Sequence, residues 1–184
     1  METDSTRLTK PYKNANVLDI SQGFHAKHKA IDWVKTYGTP IVAPENVRID
    51  EVICDCRVAD GPSGIERGFG LHMTGLESGF KYTYWHLWPY APVWANDQVQ
   101  RGKIIAFMGN SGNVNTGGHY VPLSDRNAPP FRGTHLHQAV YDTQNTPVDP
   151  LLLTDLWIEP TYSTSELIAA WVKTLTKMGK LAFR

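Results

Sequence analysis

The chain has little of most things that would classify it quickly. Among its 184 residues only Cys54 and Cys56 are cysteines, so neither a disulfide framework nor zinc-finger spacing is available. One residue apart on a strand, they would share a face but could close a mutual disulfide only under strain, so two reduced thiols are expected. Neither sign of charge is in excess, with Lys plus Arg and Asp plus Glu both at 18. No whole-chain field draws nucleic acid or an anionic membrane, and no nucleic-acid partner is expected. No stretch approaches the roughly 18 apolar residues of a membrane-spanning helix, so no integral membrane segment is expected. The opening residues, Met1–Arg7, lack the apolar centre of a secretory signal. A product made in the cytoplasm is expected, reaching any target outside by another route. Helical periodicity is scarce between residues 20 and 145, and there is no internal repeat.

What remains is a succession of short strand-like runs punctuated by Gly, Pro, Asn and Asp. The clearest are 41–43, 47–54, 69–74, 82–87, 103–108 and 135–141, rich in β-branched and aromatic residues. They predict an all-β core, an antiparallel sheet or sandwich with an open groove, in one domain of ordinary size. Residues 109–134 are expected to form one long loop, a length that in a compact domain usually serves function. The one good helix is expected over 163–179. Ser163 and Glu166 fit a capping box, and Leu167, Ile168, Trp171, Val172, Leu175 and Met178 repeat at helical spacing. Lys173, Lys177, Lys180 and Arg184 load its C-terminal half, which suits the helix dipole. The helix is read as docked on the sheet rather than as a basic membrane-seeking segment. The expected division is an N-terminal arm (1–19), a main domain (20–158) and a C-terminal helical extension (159–184).

The side chains able to do chemistry fall in separate short segments. His28 and Asp32 stand four residues apart, and on an extended segment both reach one side. His135 and His137 flank Leu136 on a predicted strand, so both imidazoles share a face while Leu136 turns to the core. Nitrogen ligands with one carboxylate oxygen suit Zn²⁺, and three protein ligands with an open fourth position is the catalytic rather than the structural pattern. One histidine of the second pair is then left for acid–base work. His86, inside Tyr84-Trp-His-Leu87, reads by itself as a packed core residue. The loop after strand 103–108, Gly109-Asn-Ser-Gly112, lacks the Gly-Lys-Ser/Thr ending of a phosphate loop. His25 reads as a surface residue and His72 as a structural strand residue. Tyr82, Trp85, Trp88, Tyr90 and Trp94 read as core or groove wall.

Taken in order, the segments are His28-x-x-x-Asp32, Gly38-Thr-Pro-Ile-Val-Ala43, Tyr84-Trp-His-Leu87, Val99 to Gly112 and His135-Leu-His137, followed by Val148-Asp-Pro150. The series resembles the lysostaphin-type, LytM-like zinc endopeptidases from about Gln22 to about Leu153. The resemblance implies one Zn²⁺ held by His28, Asp32 and His137, catalytic roles for His86 and His135, and substrates among the cross-linking peptides of bacterial peptidoglycan. His119 and Tyr84 are further candidates for substrate contact. A monomer is expected, acting on the wall after lysis or as a virion component in the manner of a phage endolysin. The competing function is a non-catalytic scaffold that binds a wall polymer or an amidase. The chain departs from the family pattern at Ala30, where glycine is usual, and in two lengthened segments, 54–67 and 117–134.

Overall fold

A computed structural model describes residues 8–54 and 68–182 of the chain. Cys56 and most of the lengthened 54–67 segment lie outside the described residues, so the expected thiol pair does too. In chain order the strands are β1 (Leu8–Thr9), β2 (Ile20–Gln22), β3 (Ile31–Trp33), β4 (Pro40–Val42), β5 (Val47–Cys54), β6 (Phe69–Gly75) and β7 (Lys81–Leu87). There follow β8 (Gln98–Val99), β9 (Ile104–Phe107), β10 (Asn115–Thr116), β11 (His119–Tyr120), β12 (Leu136–Tyr141), β13 (Pro147–Val148) and β14 (Trp157–Ile158). Among the described residues there are also two α-helices, α1 (Leu123–Arg126) and α2 (Thr164–Ala182), and two 3-10 turns at Val17–Asp19 and Pro150–Leu156.

The main sheet runs β2-β3-β12-β7-β6-β5-β8, with β13 beside β12, and every pairing in it is antiparallel. This is the all-β fold with one main C-terminal helix that the residue pattern predicts. Alternation explains its two faces. Ile31, Trp33, Ile49, Leu71, Met73, Tyr82, Tyr84, Leu136 and Val140 are sealed in the core, as expected of Leu136. A second ribbon, β4 paired with β9, closes that core with Ile41, Ile105 and Met108. Leu8, Tyr12 and Ala15 from the N-terminal stretch are buried in the same cluster.

The register shifts at several places, and the one that matters to the site lies between β6 and β7. Phe69 pairs with Leu87 and Leu71 with Tyr84, so Trp85 and His86 together oppose Gly70 in a bulge. His86 also has a left-handed backbone, φ 61°, uncommon for a residue with a Cβ. Strict alternation would send His86 inward with Tyr82 and Tyr84. The bulge turns it to the groove face instead, which corrects its reading as a core residue.

The 109–134 segment is not one continuous loop. Strands β10 and β11 form a small hairpin, and α1 follows. Helix α2 begins where the capping box predicts, Ser163 Oγ accepting from Glu166 N at 3.2 Å and Glu166 Oε2 accepting from Ser163 N at 2.8 Å. Trp171 docks the helix, its ring stacked on Phe107 at 3.8 Å and edge-on to Trp88 at 5.3 Å. The buried face is Ala170, Thr174 and Lys177, while Ile168, Val172 and Leu175 of the expected apolar stripe are exposed. Lys177 does not load the helix end in solvent. Its ammonium donates to the carbonyls of Ala91, at 2.7 Å, and Val93 and lies over the Trp94 ring.

Gly70 makes the bulge possible. A Cβ there would lie 2.3 Å from Trp85 Cε3 and 2.8 Å from the Tyr84 carbonyl oxygen. Gly70→Ala is expected to cost about 1–3 kcal/mol through overpacking, seen as a lower denaturation midpoint, with activity falling as the Trp85–His86 turn shifts. An unchanged midpoint would mean the bulge does not need glycine.

Candidate metal centre

The site is assembled where three strands meet. Strand β12 runs between β3 and β7, and its register sets His137 opposite Asp32 on one side and Trp85 on the other. His28 enters from a tight turn, where His25 N donates to His28 O at 2.8 Å and His28 N returns to His25 O at 3.1 Å. The segment from His28 to Asp32 is thus a turn running into a strand, not the uniformly extended stretch expected. Ala30, in the middle, is fully buried.

Three ligand-type atoms converge as a result. His137 Nδ1 lies 2.9 Å from Asp32 Oδ1, His28 Nε2 lies 3.3 Å from His137 Nδ1, and His28 Nε2 lies 3.3 Å from Asp32 Oδ1. His28, Asp32 and His137 are a group able to hold a metal ion. The edges of a tetrahedron with ligand bonds of about 2.0–2.1 Å are close to 3.3 Å, so the triangle fits zinc in size. The donor chemistry fits as well. His28 Nδ1–H donates to the Gly23 carbonyl at 3.1 Å, which leaves the Nε2 lone pair facing the other two atoms. Three ligand atoms this close can share one metal ion, and without it the His137 Nδ1 proton bridges to Asp32. Burial by itself would raise the Asp32 carboxyl, but the hydrogen bond with His137 and the imidazoles of His135, His137 and His28 outweigh it and hold Asp32 below its ordinary value.

His86 and His135 stand beside this triangle, their rings 4.5 Å apart, with His86 6.0 Å from the ring of His137. Each is tied through Nδ1–H to a backbone carbonyl, His86 to Ser111 and His135 to Gly133, both at 2.8 Å. Both therefore keep Nε2 as the free lone pair. Burial, helped by the neighbouring His135, pushes His86 down to about 3. Burial lowers His135 in the same direction. Both are neutral imidazoles at neutral pH.

An open groove passes over these five residues. One arm, about 980 Å³, is lined by Lys27, Asp50, His72, Lys81, Trp85 and Tyr141 among others. The other, about 840 Å³, runs between Val34, Lys35, the 115–118 hairpin tip and Phe131–Thr134. His86 and His137 belong to both arms. Of the two further contact candidates, Tyr84 is overturned. It is fully buried, and its hydroxyl accepts from Gln138 Nε2 at 3.0 Å inside the core. His119 is exposed on β11 and is not among the residues lining either arm. His72, read as structural, instead faces the groove, edge-on to Trp85.

Sequence reasoning missed the supports beneath the site. Gln138, next to His137, accepts from Trp33 Nε1 at 2.7 Å and donates to the Tyr84 hydroxyl, joining all three strands in the core. Gly109-Asn-Ser-Gly112 supplies the carbonyl that orients His86; in sequence it stands out as a glycine-rich loop within the family-like Val99–Gly112 segment, with nothing that points to this role.

Comparison with known proteins gives the family and the fold. Residues 26–150 match the model of peptidase family M23, and the chain belongs to that family. No curated protein sequence matches it. Among solved structures, a zinc-containing peptidase from Vibrio cholerae is similar over 78% of this chain and 39% of its own, at 22% identity and a TM-score of 0.55. LytU is similar over 82% and 85%, at 25% identity and a TM-score of 0.51. The antimicrobial peptidase lysostaphin from Staphylococcus simulans is similar over 80% and 55%, at 20% identity and a TM-score of 0.54. The chain thus spans less than two thirds of the length of the Vibrio cholerae peptidase and of lysostaphin.

Two measurements check this geometry. Gln138→Leu leaves the Trp33 N–H and the Tyr84 hydroxyl without their buried partner, and about 1–3 kcal/mol of stability should be lost; a neutral effect in denaturant titration would contradict the network. His86 should show no protonation in ¹⁵N spectra between about pH 5 and 8. Its depressed pKa means that the unfolded chain takes up the proton first, so this residue removes stability as pH falls from 6.5 towards about 3.

Proposed function

We propose that the chain is a zinc-dependent endopeptidase that hydrolyses the cross-linking peptides of bacterial peptidoglycan. The observation that carries the reading is the His28–Asp32–His137 triangle, with its open side turned to a groove and to His86 and His135. Membership of peptidase family M23 supports peptide-bond hydrolysis. Zinc is supported by the donor set and by a family relative described as a zinc-containing peptidase. The wall substrate is supported by the resemblance to lysostaphin-type enzymes and by an open groove on either side of His86 and His137, which suits a peptide embedded in a polymer.

His28, Asp32 and His137 would hold the ion with two neutral nitrogens and one carboxylate, leaving net positive charge. Zinc bound there supplies an activated water at neutral pH and polarises the scissile carbonyl. The remaining work falls to the protein. The groove walls hold the peptide extended across the triangle, with its carbonyl facing His86 and His135. Neutral Nε2 atoms on these two residues can take up a proton and pass it to the leaving amine. Once protonated, either becomes a donor towards the oxygen on which negative charge develops. With all five positions filled, an enzyme is favoured over a scaffold.

Purified sacculi should lose turbidity with the full chain, stop doing so in chelator, and resume on adding Zn²⁺. His137→Ala is expected to abolish both metal retention and lysis. His86→Ala is expected to keep the metal while kcat falls by about 10²–10⁴-fold. Mass spectrometry of the released muropeptides would name the bond cut. A folded protein that binds no zinc and releases no peptide would end the proposal.

A further inference from the structure

The segment 111–133, which takes in nearly all of the lengthened 117–134 stretch, begins and ends on the two carbonyls that orient His86 and His135. Ser111 accepts from His86 at its start, and Gly133 accepts from His135 at its end. Between them lies Arg126, 4% exposed. Its Nη1 donates to the Asn110 carbonyl at 3.3 Å and to that of Gly112, so the guanidinium grips the residues on either side of Ser111. Its Nη2 donates to the Tyr120 hydroxyl at 2.8 Å. Asn110 reciprocates: Nδ2 donates to the carbonyl of Arg126 and to that of Arg132, both at 3.1 Å. Arg132 directly precedes Gly133. The buried guanidinium therefore ties the middle of the segment to its start, and the buried Asn110 amide ties that start to its end.

We propose that Arg126 and Asn110 form a clamp that positions both His86 and His135, holding their Nε2 atoms towards the groove. Neither residue is among those lining the groove, so both act through the Ser111 and Gly133 carbonyls and are positioning residues. A guanidinium is buried at a cost unless acceptors converge on it. Its planar fork holds the Asn110 and Gly112 carbonyls on Nη1 and the Tyr120 hydroxyl on Nη2 at once, which a lysine ammonium on a flexible stem does not reproduce. With the clamp released, the carbonyl at either end of the segment can turn, and each imidazole regains ring-flip and tautomer freedom. The insertion would then be part of the proton-handling apparatus and not only a groove wall.

The inference rests on His86 and His135 being the proton carriers, so the experiment separates the two ideas. Arg126→Met and Arg126→Lys are compared with the wild-type full chain. Zinc binding should be unchanged, KM little altered, and kcat lower by about 10–100-fold. Free guanidinium ion should partly restore Arg126→Met. Independently of activity, ¹⁵N-histidine spectra of the metal-free and zinc-loaded chain should show protonated Nδ1 on His86 and His135 in the wild type, and mixed tautomers in the variants. Should Arg126→Met fail to fold, Arg126→Lys, which keeps the charge without the fork, stands in its place. A rise in KM alone, or unchanged kcat and unchanged tautomers, would overturn the clamp. A wild type that binds zinc but cleaves nothing would defeat the enzymatic reading, while the spectra would still decide whether the clamp exists.

Discussion

Everything at the site depends on the register of β12 between β3 and β7. His137 is paired with Asp32 across one strand boundary and with Trp85 across the other. Because side chains alternate, a slip of one residue would turn His137 into the core and bring Gln138 out. The slip is blocked from below. Leu136 and Val140 are sealed in the core, and Gln138 is bonded to Trp33 on β3 and to Tyr84 on β7. A buried amide with partners on both neighbouring strands has one register in which it is satisfied, and that register is the one that closes the metal-sized triangle.

The second requirement conflicts with the first. A regular sheet would deliver His137 but bury His86, since alternation along β7 commits Tyr82 and Tyr84 inward. The bulge opposite Gly70 and the left-handed backbone of His86 resolve the conflict. Such a conformation costs of order 1–3 kcal/mol and persists only where the surroundings over-determine it. Here the Leu87–Met108 bridge, the Ser111 hydroxyl donating to the Leu87 carbonyl, and the His86–Ser111 bond hold it from three directions. The strain sits on the residue that must leave the core face to meet the groove.

The electrostatics follow from the same packing. Hydrogen bonding and nearby imidazoles outweigh burial at Asp32 and keep it ionised, whereas burial dominates at His86 and His135 and keeps them neutral. One anion with neutral imidazoles is a donor set for a divalent cation, and the two neutral nitrogens left over are free to exchange protons. Residues 111–133 contribute by supplying both carbonyls that set the tautomers. A stretch that reads in sequence as a polar, Gly- and Pro-rich loop is in fact bonded at its two ends to the imidazoles.

The sequence alone determined the β architecture, six of the fourteen described strands with the longest among them, the capped C-terminal helix and the five residues of the candidate site. These are read from local signals: alternation, turn residues, a capping box, and a recurrent order of His and Asp that resembles a known family. Tertiary structure alone decided which way His86 faces, that Tyr84 is core rather than groove, that Lys177 is buried against two carbonyls, and that α2 docks through Trp171 while Ile168, Val172 and Leu175 of the same apolar stripe stay exposed. It also decided that Arg126 reaches the loop holding His86. None of these could be read from the chain, for one reason. Each depends on which distant backbone or ring lies opposite: Gly70 against Trp85, Gln138 against Tyr84, Phe107 against Trp171, the Asn110 and Gly112 carbonyls against a guanidinium. Periodicity states which side of its own element a residue takes, and only packing states what waits there.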